Sequence, residues 1–269
     1  MNILLCSPFF SQHFDAGHFW AKALGELGHR LTLWDYRLEA EPPQFDYDLA
    51  FVLKGRPNIC KQLRGARQVC YWPDALGRDP DSELELSKYD RVFTPLRPTP
   101  ENMTWLPGAY DPFIHRNYGL ARRNTIFIGT FTLHKKAYVD AIDKNMLIYG
   151  NDWDAYRAAG QAIYLQRFTH ALNTAEIAVN IHREPGIGLN RRFFEFIPCA
   201  FTLVDRVPGV EEILGKELTD AVTFSTPAEA REKVHFYLAN YGLTPELHAR
   251  QVSAIQNYTY QDLARQVVE

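Results

Sequence analysis

Apolar residues in the first 110 positions occur in short runs separated by polar or glycine-containing segments. The opening run, MNILLC, is typical of a buried parallel strand. In the segment GHFWAKALGELGHR that follows, apolar residues recur at helical spacing until Gly28, a residue that commonly ends helices. The next apolar run, LTLWDY, has strand character again. The chain is therefore predicted to open with a β-α-β unit.

The same alternation continues along both halves of the chain. Further strands of the first half are predicted at DLAFVLK, RQVCYW, DRVFTP and MTWLP. In the second half, strands are predicted at TIFIG, MLIYG, EIAVNIH, FTLVD and AVTFS, and helical segments lie between them and run to the end. Strands that alternate with helices indicate an α/β fold with parallel, doubly wound sheets.

The segment LPGAYDPFIHRNYGLARRN interrupts this rhythm with proline, glycine and charged residues. It predicts a boundary between a first domain at residues 1–115 and a second domain at residues 120–250, with a C-terminal helix of about 250–269 packing back onto the first. We expect two Rossmann-like domains whose parallel sheets face each other across a cleft. Ligands of such folds bind at the carboxyl ends of the strands.

Composition excludes several classes of protein. The chain has 46% hydrophobic and 23% charged residues and a formal net charge of −3, so no global basic field points to nucleic acid or to an anionic membrane surface. The four cysteines stand alone, which argues against zinc and a disulfide framework. No basic leader or long apolar stretch is evident. We therefore predict a cytoplasmic protein.

Glycines and cations suggest where an anion binds. The loop after the first strand lacks G-x-G-x-x-G, and no P-loop pattern occurs, which disfavours dehydrogenases, sugar-phosphate epimerases and P-loop enzymes. In the second half, Gly129 and Thr130 lie between a strand and a helix, and Gly186 and Gly188 precede a helix that begins near Asn190. Free amides at such positions bind phosphates. Nearby cations that could add charge are Lys135, Lys136, Arg183, Arg191 and Arg192.

One acid lies in the amphipathic segment NRRFFEFIPC. Phenylalanines supply its apolar face, whereas Asn190, Arg192 and Glu195 fall on the remaining arc near the loop. A carboxylate there can accept two hydroxyl hydrogen bonds from a ribose. The alternative is an ion pair between Glu195 and Arg191 or Arg192.

These residues carry a family resemblance. The segment AVNIHREPGIGLNRRFFEFIPCAFTLVDRVPGVEEIL resembles the nucleotide-sugar segment of GT-B glycosyltransferases, closest to the spore-maturation-protein-like (CgeB-type) group and similar to family-four transferases. Asn190, Arg192, Phe194 and Glu195 match the N-x-R-x-F-E pattern of that group. LPGAYDP is similar to the hinge that ends the acceptor domain of this fold, and IFIGTF to the strand that opens its donor domain.

The resemblance implies an enzyme that moves a sugar from a nucleotide-diphosphate sugar, with UDP-sugars as candidate donors, and needs no resident cofactor or metal. It implies that Glu195 contacts the donor ribose, as does the second glutamate of the family's E-x7-E pair. Ile187 stands in place of the first glutamate, Ala200 in place of a glycine and Leu263 in place of an arginine. The predicted donor-binding residues are Glu195, Arg192, Asn190, Gly188, Arg183, Gly129, Thr130 and Lys135, with Lys136 as an alternative to Lys135.

Acceptor chemistry is expected at strand ends of the first domain. Asp74 follows the fourth strand, and Asp15 and His18 follow the first, so these three are the candidate catalytic residues for deprotonating an acceptor hydroxyl. Two of the three have a simpler explanation: Asp74 suits a turn or helix cap, and His18 suits a packed position in the first turn of a helix.

The acceptor itself stays open in the sequence. A small molecule, a glycan, a protein or a modified DNA base is compatible with the prediction, and for DNA the cluster Arg56, Lys61, Arg64 and Arg67 would contact phosphates, unless it is a solvated helix face. The D-x-D runs at residues 46–48 and 79–81 are not predicted to bind metal. The alternative function is a catalytically silent module that binds a nucleotide or nucleotide sugar, which the isoleucine at position 187 suggests.

Overall fold

The computed structural model describes residues 1–9, 16–54, 59–63, 65–74, 76–77, 80–154, 160–183 and 188–269. The chain forms two compact units. The first comprises Met1–Pro107 and Thr259–Glu269, and the second comprises Gly108–Tyr258.

The first unit contains a six-stranded parallel sheet in the order β2-β1-β3-β4-β5-β6. Its strands are β1 (Asn2–Cys6), β2 (Arg30–Trp34), β3 (Leu49–Leu53), β4 (Arg67–Tyr71), β5 (Arg91–Thr94) and β6 (Thr104–Trp105). Its helices are α1 (Gly17–Glu26), α2 (Ile59–Gln62), α3 (Pro80–Glu83), a 3-10 turn at Leu86–Lys88, and α11 (Tyr260–Val268). The alternating pattern of the sequence therefore does form a parallel sheet here.

Packing in the first unit follows the apolar pattern. All five residues of β3 are buried, as expected of a central strand covered on both faces. Helix α11 packs on α1, where Phe19 and Tyr260 stack with ring centroids 5.1 Å apart. Arg67 donates to the carbonyl oxygens of Val267, Val268 and Glu269 at the end of α11. The C-terminal helix is thus an integral part of the first unit.

The second unit contains a five-stranded parallel sheet in the order β11-β10-β9-β7-β8. Its strands are β7 (Asn124–Ile128), β8 (Leu147–Tyr149), β9 (Ala175–Asn180), β10 (Thr202–Asp205) and β11 (Thr223–Phe224). Its helices are α4 (Leu133–Ile142), α5 (Leu165–Asn173), α6 (Arg191–Phe196), α7 (Val210–Leu214), α8 (Lys216–Val222), α9 (Pro227–Ala239), a 3-10 turn at Tyr241–Leu243, and α10 (Thr244–Ile255).

Side-chain caps define where helices of the second unit begin. The Thr132 side chain accepts from the backbone N–H of Lys135 at the start of α4, and Thr226 does the same for Glu229 in α9, whose first turn contains Pro227. Such caps satisfy amides that have no partner inside the helix. Helices α4 and α9 pack against each other on one face of the sheet. The caps thereby fix where α4 starts, next to the end of β7.

The structure differs from the sequence prediction at several places. The predicted helix of about 250–269 is divided between α10 (Thr244–Ile255) in the second unit and α11 (Tyr260–Val268) in the first. The units divide between Pro107 and Gly108, before the predicted boundary, because Gly108 packs directly on α6. A Cβ atom at residue 108 would lie 2.9 Å from the Phe194 ring and 3.1 Å from the Cα of Arg191. In addition, Ala221 and Val222 of the predicted strand AVTFS belong to α8, so β11 has only two residues.

Candidate functional site

In the second unit, β7 lies between β8 and β9, so the direction in which the chain adds strands reverses there. Such a reversal leaves a crevice at the carboxyl ends of the strands, where ligands of doubly wound sheets bind. Three adjacent strand ends contribute polar residues to this edge: Gly129 and Thr130 after β7, Asn180 to Arg183 at and after β9, and Asp205 at β10.

The turn after β7 allows a close approach of backbone to backbone. Gly129 donates to the carbonyl oxygen of Tyr149 at 2.8 Å and accepts from the indole nitrogen of Trp153 at 2.7 Å. At Gly150, which has a φ of +154°, a Cβ atom would lie 2.1 Å from the carbonyl oxygen of Gly129. This turn therefore needs glycine and is held rigidly, with Thr130 exposed beside it.

Lys135 is a buried cation in the first turn of α4. Its side chain is 4% exposed, and its ammonium donates to the carbonyl oxygen of Thr130 at 3.1 Å. Burial lowers the pKa of Lys135 to about 8, with Arg192 and Arg183 lowering it further and Asp205 acting in the opposite direction. Lys136, the alternative, instead forms an ion pair with Asp140 on the same helix.

Arg192 and Arg183 complete the positive charge around Lys135. Burial also lowers the pKa of Arg192, which Glu195 partly offsets. Arg183 is exposed just beyond β9. The structure thus places the predicted diphosphate residues Gly129, Thr130, Lys135, Arg183 and Arg192 near one edge of the sheet. Lys135 also interacts there with an acid that was not predicted, Asp205.

The predicted residues at the start of α6 have structural contacts. Asn190 caps the helix by accepting from the N–H of Phe193 at 2.9 Å, and its amide exchanges two hydrogen bonds of 3.2 Å with Asn180 of β9. Gly188 has a φ of +88°, a left-handed conformation that favours glycine. Gly186 and Ile187 lie outside the described residues. Donor contacts of Asn190 and Gly188 stay predictions.

Glu195 is buried, with 4% of its surface exposed. Its Oε1 lies 2.8 Å from Nε of Arg191, one turn back in α6, and 3.9 Å from Nε2 of His115. Burial lowers the pKa of His115, although Glu195 acts in the opposite direction. The ion pair with Arg191, weighed above as the alternative to ribose binding, is therefore present. A ribose contact of Glu195 stays a prediction and requires that Arg191, whose side chain is 40% exposed, share the carboxylate.

His182 and Asp205 were not predicted from the sequence. The backbone N–H of His182 donates to both carboxylate oxygens of Asp205, at 3.0 and 3.1 Å, and its Nδ1 lies 2.5 Å from Oδ1. Both side chains are buried. The sequence did contain a signal for them, because each polar residue lies at the end of an apolar strand. A lone histidine at such a position is most simply explained as a core residue, so this signal was too weak to predict a site.

The candidate catalytic residues of the first unit lie at or near strand ends. Asp74 follows β4 and forms an ion pair of 2.6 Å with Lys54 after β3. His18 is in the first turn of α1, with Nε2 3.1 Å from the carbonyl oxygen of Phe9. Asp15 lies outside the described residues. The structure therefore describes the positions of Asp74 and His18, and the catalytic role of all three residues stays a prediction.

Several of the remaining charged candidates have other partners or lie outside the described residues, whereas Lys61 is exposed in α2. Arg67 caps α11, so it is not a free phosphate-binding cation. Arg56 and Arg64 lie outside the described residues. Of the D-x-D runs, Asp48 accepts from the backbone N–H of Asn2 at 2.7 Å. In the described part of the chain, no three His, Cys, Asp or Glu residues cluster as metal ligands would, and no helix is long and apolar enough to cross a membrane.

Two parallel, Rossmann-like sheets, one of which has polar residues at a strand-order reversal, are typical of one class of protein, the GT-B glycosyltransferase fold. The sequence itself agrees with this class. Residues 132–269, more than half of the chain, match the family described as glycosyl transferase-like. The chain therefore belongs to the glycosyl transferase-like family. No curated protein is significantly similar to it in sequence.

Solved structures share the whole fold at low sequence identity. T4 phage BGT in complex with UDP-glucose is 14% identical, with a TM-score of 0.67 over 100% of both chains, and another structure of it contains UDP and Mn²⁺. Sucrose-phosphate synthase from Thermosynechococcus elongatus is 10% identical, with a TM-score of 0.71 over 99% of this chain and 97% of that one. A β-glucosyltransferase described as a DNA modifying enzyme is 16% identical, with a TM-score of 0.65 over 98% and 97%. These similarities establish the fold.

Proposed function

We propose that this glycosyltransferase transfers a sugar from a nucleoside diphosphate sugar, with a UDP-sugar as the first candidate, to an acceptor hydroxyl. The observation that carries the proposal is the cation-rich edge of the second sheet, where buried Lys135 lies beside the glycine turn after β7. Two solved structures of T4 phage BGT, which shares this fold, hold UDP-glucose or UDP, and this supports the choice of donor.

In the proposed reaction, the acceptor oxygen attacks the anomeric carbon of the sugar. The bond from that carbon to the diphosphate oxygen breaks, and its electron pair stays on the diphosphate. Negative charge therefore grows on the leaving group, and preorganised cations and amides stabilise it. Lys135, Arg183 and Arg192, with the amides after Gly129 and Thr130, take this role, and Glu195 accepts from the ribose hydroxyls.

The proton of the acceptor hydroxyl needs a base, which we assign to the first unit. Asp74 is the leading candidate, because its carboxylate is partly exposed at a strand end and is held there by Lys54. His18 and Asp15 are the other two candidates. This assignment makes residues 1–107 the acceptor side and residues 108–258 the donor side.

We also propose that transfer does not require a metal ion. Three cations already supply positive charge where the diphosphate would lie, as a divalent ion does in other transferases. Transfer measured in excess EDTA tests this point. Unchanged turnover is the expected result, and loss of turnover that Mn²⁺ restores would contradict it.

Within the family, we propose that the chain is closest to the CgeB-type, family-four-like transferases, because Asn190, Arg192, Phe194 and Glu195 follow their N-x-R-x-F-E pattern. All four cysteines are free and buried, which suits a reducing compartment such as the cytoplasm. For the acceptor, the fold shared with a DNA modifying enzyme supports testing DNA that carries hydroxylated bases alongside small molecules, glycans and proteins.

A thermal-shift panel of UDP, GDP, ADP and TDP, each with its sugars, identifies the donor, because a ligand of the native state raises the unfolding temperature. Labelled donor then separates the enzyme from the alternative, a silent binding module suggested by Ile187. Transfer or slow donor hydrolysis supports the enzyme. Stabilisation by a donor with neither transfer nor hydrolysis for any acceptor pool would favour the binding module.

A further inference from the structure

His182 has one ring nitrogen with a partner and one without. Its Nδ1 lies 2.5 Å from Oδ1 of Asp205, whereas its Nε2 is buried and has no hydrogen-bond partner among the described residues. The whole residue is 1% exposed. By contrast, Nε2 of the half-buried His248 lies 2.7 Å from the carbonyl oxygen of Ile197. A buried polar atom without a hydrogen-bond partner destabilises the folded state, so Nε2 of His182 is a candidate for contact with a ligand.

Asp205 fixes the orientation of this ring. The carboxylate accepts from the backbone N–H of His182 and lies against Nδ1, so the residue is held by its backbone and by one ring atom from the adjacent strand. A carboxylate accepts hydrogen bonds, which places a proton on Nδ1. The remaining nitrogen, Nε2, lies on the far side of the ring from Asp205 and is the ring atom left for a further partner.

The surroundings of the His182–Asp205 pair indicate the charge of that ligand. Both residues lie at the carboxyl ends of β9 and β10, next to β7, whose end carries Gly129 and Thr130. Lys135, Arg183 and Arg192 face this edge from α4, from the end of β9 and from α6, and Asp205 is the acid that interacts with Lys135. Lys135, Arg183 and Arg192, together with Arg191, outnumber the carboxylates of Asp205 and Glu195 that interact with them, and an anion would neutralise this excess positive charge.

We infer that His182 is a ligand-contacting residue whose Nε2–H donates to a non-bridging oxygen of a bound diphosphate, with Asp205 as the residue that positions the ring. This inference rests on the proposed function, because the diphosphate is that of the sugar donor. With Nδ1 already donating to Asp205, Nε2 donates only when the ring carries both protons. The incoming diphosphate supplies negative charge that favours this form. As the sugar leaves, the same hydrogen bond stabilises the charge that grows on the diphosphate.

The test observes this nitrogen directly in the full chain labelled with ¹⁵N-histidine. His182 is assigned by the signal that His182→Asn removes, and UDP, inorganic pyrophosphate and uridine are titrated separately. UDP and pyrophosphate are expected to move Nε2 from the shift of a bare ring nitrogen to that of a protonated one, and uridine to leave it unchanged. If UDP stabilises the protein but leaves the chemical shift of Nε2 unchanged, the inference is wrong, whereas UDP remains supported as the nucleotide of the donor.

Two further outcomes separate this inference from the proposed function. If pyrophosphate moves Nε2 but UDP binds no more tightly than pyrophosphate, the contact with His182 stands and a nucleotide donor does not. If neither UDP nor pyrophosphate binds, both the inference and the proposed function fail.

The variant His182→Asn tests the contact by binding. In the described fold Asn can keep the contact with Asp205, because its amide nitrogen replaces Nδ1. His182→Asn is therefore expected to weaken UDP binding about tenfold and to leave uridine binding unchanged. Equal loss for both ligands would indicate a merely structural role.

Discussion

The carboxyl edges of the two sheets differ in charge and burial. At the edge of the second sheet, Lys135, His182 and Asp205 are each less than 5% exposed and are joined to the backbone by hydrogen bonds. At the edge of the first sheet, Lys54 and Asp74 form a single ion pair, with side chains 45% and 23% exposed. The second edge has excess positive charge in a fixed arrangement, suited to a diphosphate. In the described part of the first edge, this pair of opposite charges is partly open to solvent.

The largest effect is expected at the first edge. Asp74→Asn should lower transfer by about 10²- to 10⁴-fold, the usual contribution of a general base, while UDP binding stays unchanged because the donor edge is intact. Steady-state transfer and calorimetric UDP binding measure the two quantities. Asp81→Asn, a change of an exposed acid in the same unit, is the matched control. Normal transfer by the Asp74 variant would reassign the base to His18 or Asp15.

At the second edge, Lys135→Met should weaken UDP binding about 100-fold, because it removes a desolvated cation from the diphosphate site. Uridine binding should not change. Removing a buried charge should also leave the unfolding temperature of the free protein unchanged or raise it. Lys136→Met, at the neighbouring cation that pairs with Asp140, should have neither effect. Equal losses in the two variants would show that the buried lysine has no special role.

Glu195→Gln should weaken the binding of UDP and of uridine alike, by about tenfold or more. Both ligands contain the ribose, whose hydroxyls we propose donate hydrogen bonds to the carboxylate. Arg191→Met is its control, because it removes the partner of the ion pair and keeps the carboxylate. Isothermal titration of both variants separates the two explanations. If Arg191→Met weakens nucleoside binding as much as Glu195→Gln does, Glu195 acts through its ion pair and not on the ribose.

The smallest effect is a dependence on pH. Burial lowers the pKa of Lys135 to about 8 in the free protein, so at pH 9 about a tenth of the molecules carry the ammonium. UDP affinity should therefore fall by up to about tenfold between pH 7 and pH 9. The dependence should vanish in Lys135→Met. An identical slope in that variant would assign the dependence to another group.

The lowered pKa of Lys135 also predicts how stability depends on pH: stability should rise with pH, whereas UDP affinity should fall. Its folded pKa, about 8, lies below the ordinary value of 10.5, so the unfolded chain binds more protons between these values. The contribution of Lys135 to the free energy of unfolding therefore rises as pH increases from 8 to 10.5. Chemical denaturation of the protein and of Lys135→Met across this window measures the difference.

The local pattern of apolar and polar residues predicted most of the fold, because a buried parallel strand and an amphipathic helix each depend on residues that are consecutive in sequence. The parallel sheets and the GT-B class were predicted and are confirmed. The length of β11 was not, since Ala221 and Val222 suit a strand as well as the helix they complete. The Gly129 turn and Lys135 could be located because glycine and charge follow a strand directly. Their roles stay predictions.

The pairing of His182 with Asp205 could not be predicted, because the two residues are 23 positions apart and meet only through the order of β9 and β10 in the sheet. The alternative roles of Glu195 stayed open for a related reason. Sequence spacing permits an ion pair with Arg191 and a ribose contact equally, and only packing of α6 brings His115 near the same carboxylate.

The most direct test of the central claim is a crystal structure of the protein with UDP. The account predicts the diphosphate at the carboxyl ends of β7, β9 and β10, within hydrogen-bond distance of Lys135 and of the backbone after Gly129. Well-ordered UDP anywhere else, for example in the cavity of about 900 Å³ that Glu41, Phe45 and Tyr47 line in the first unit, would contradict it.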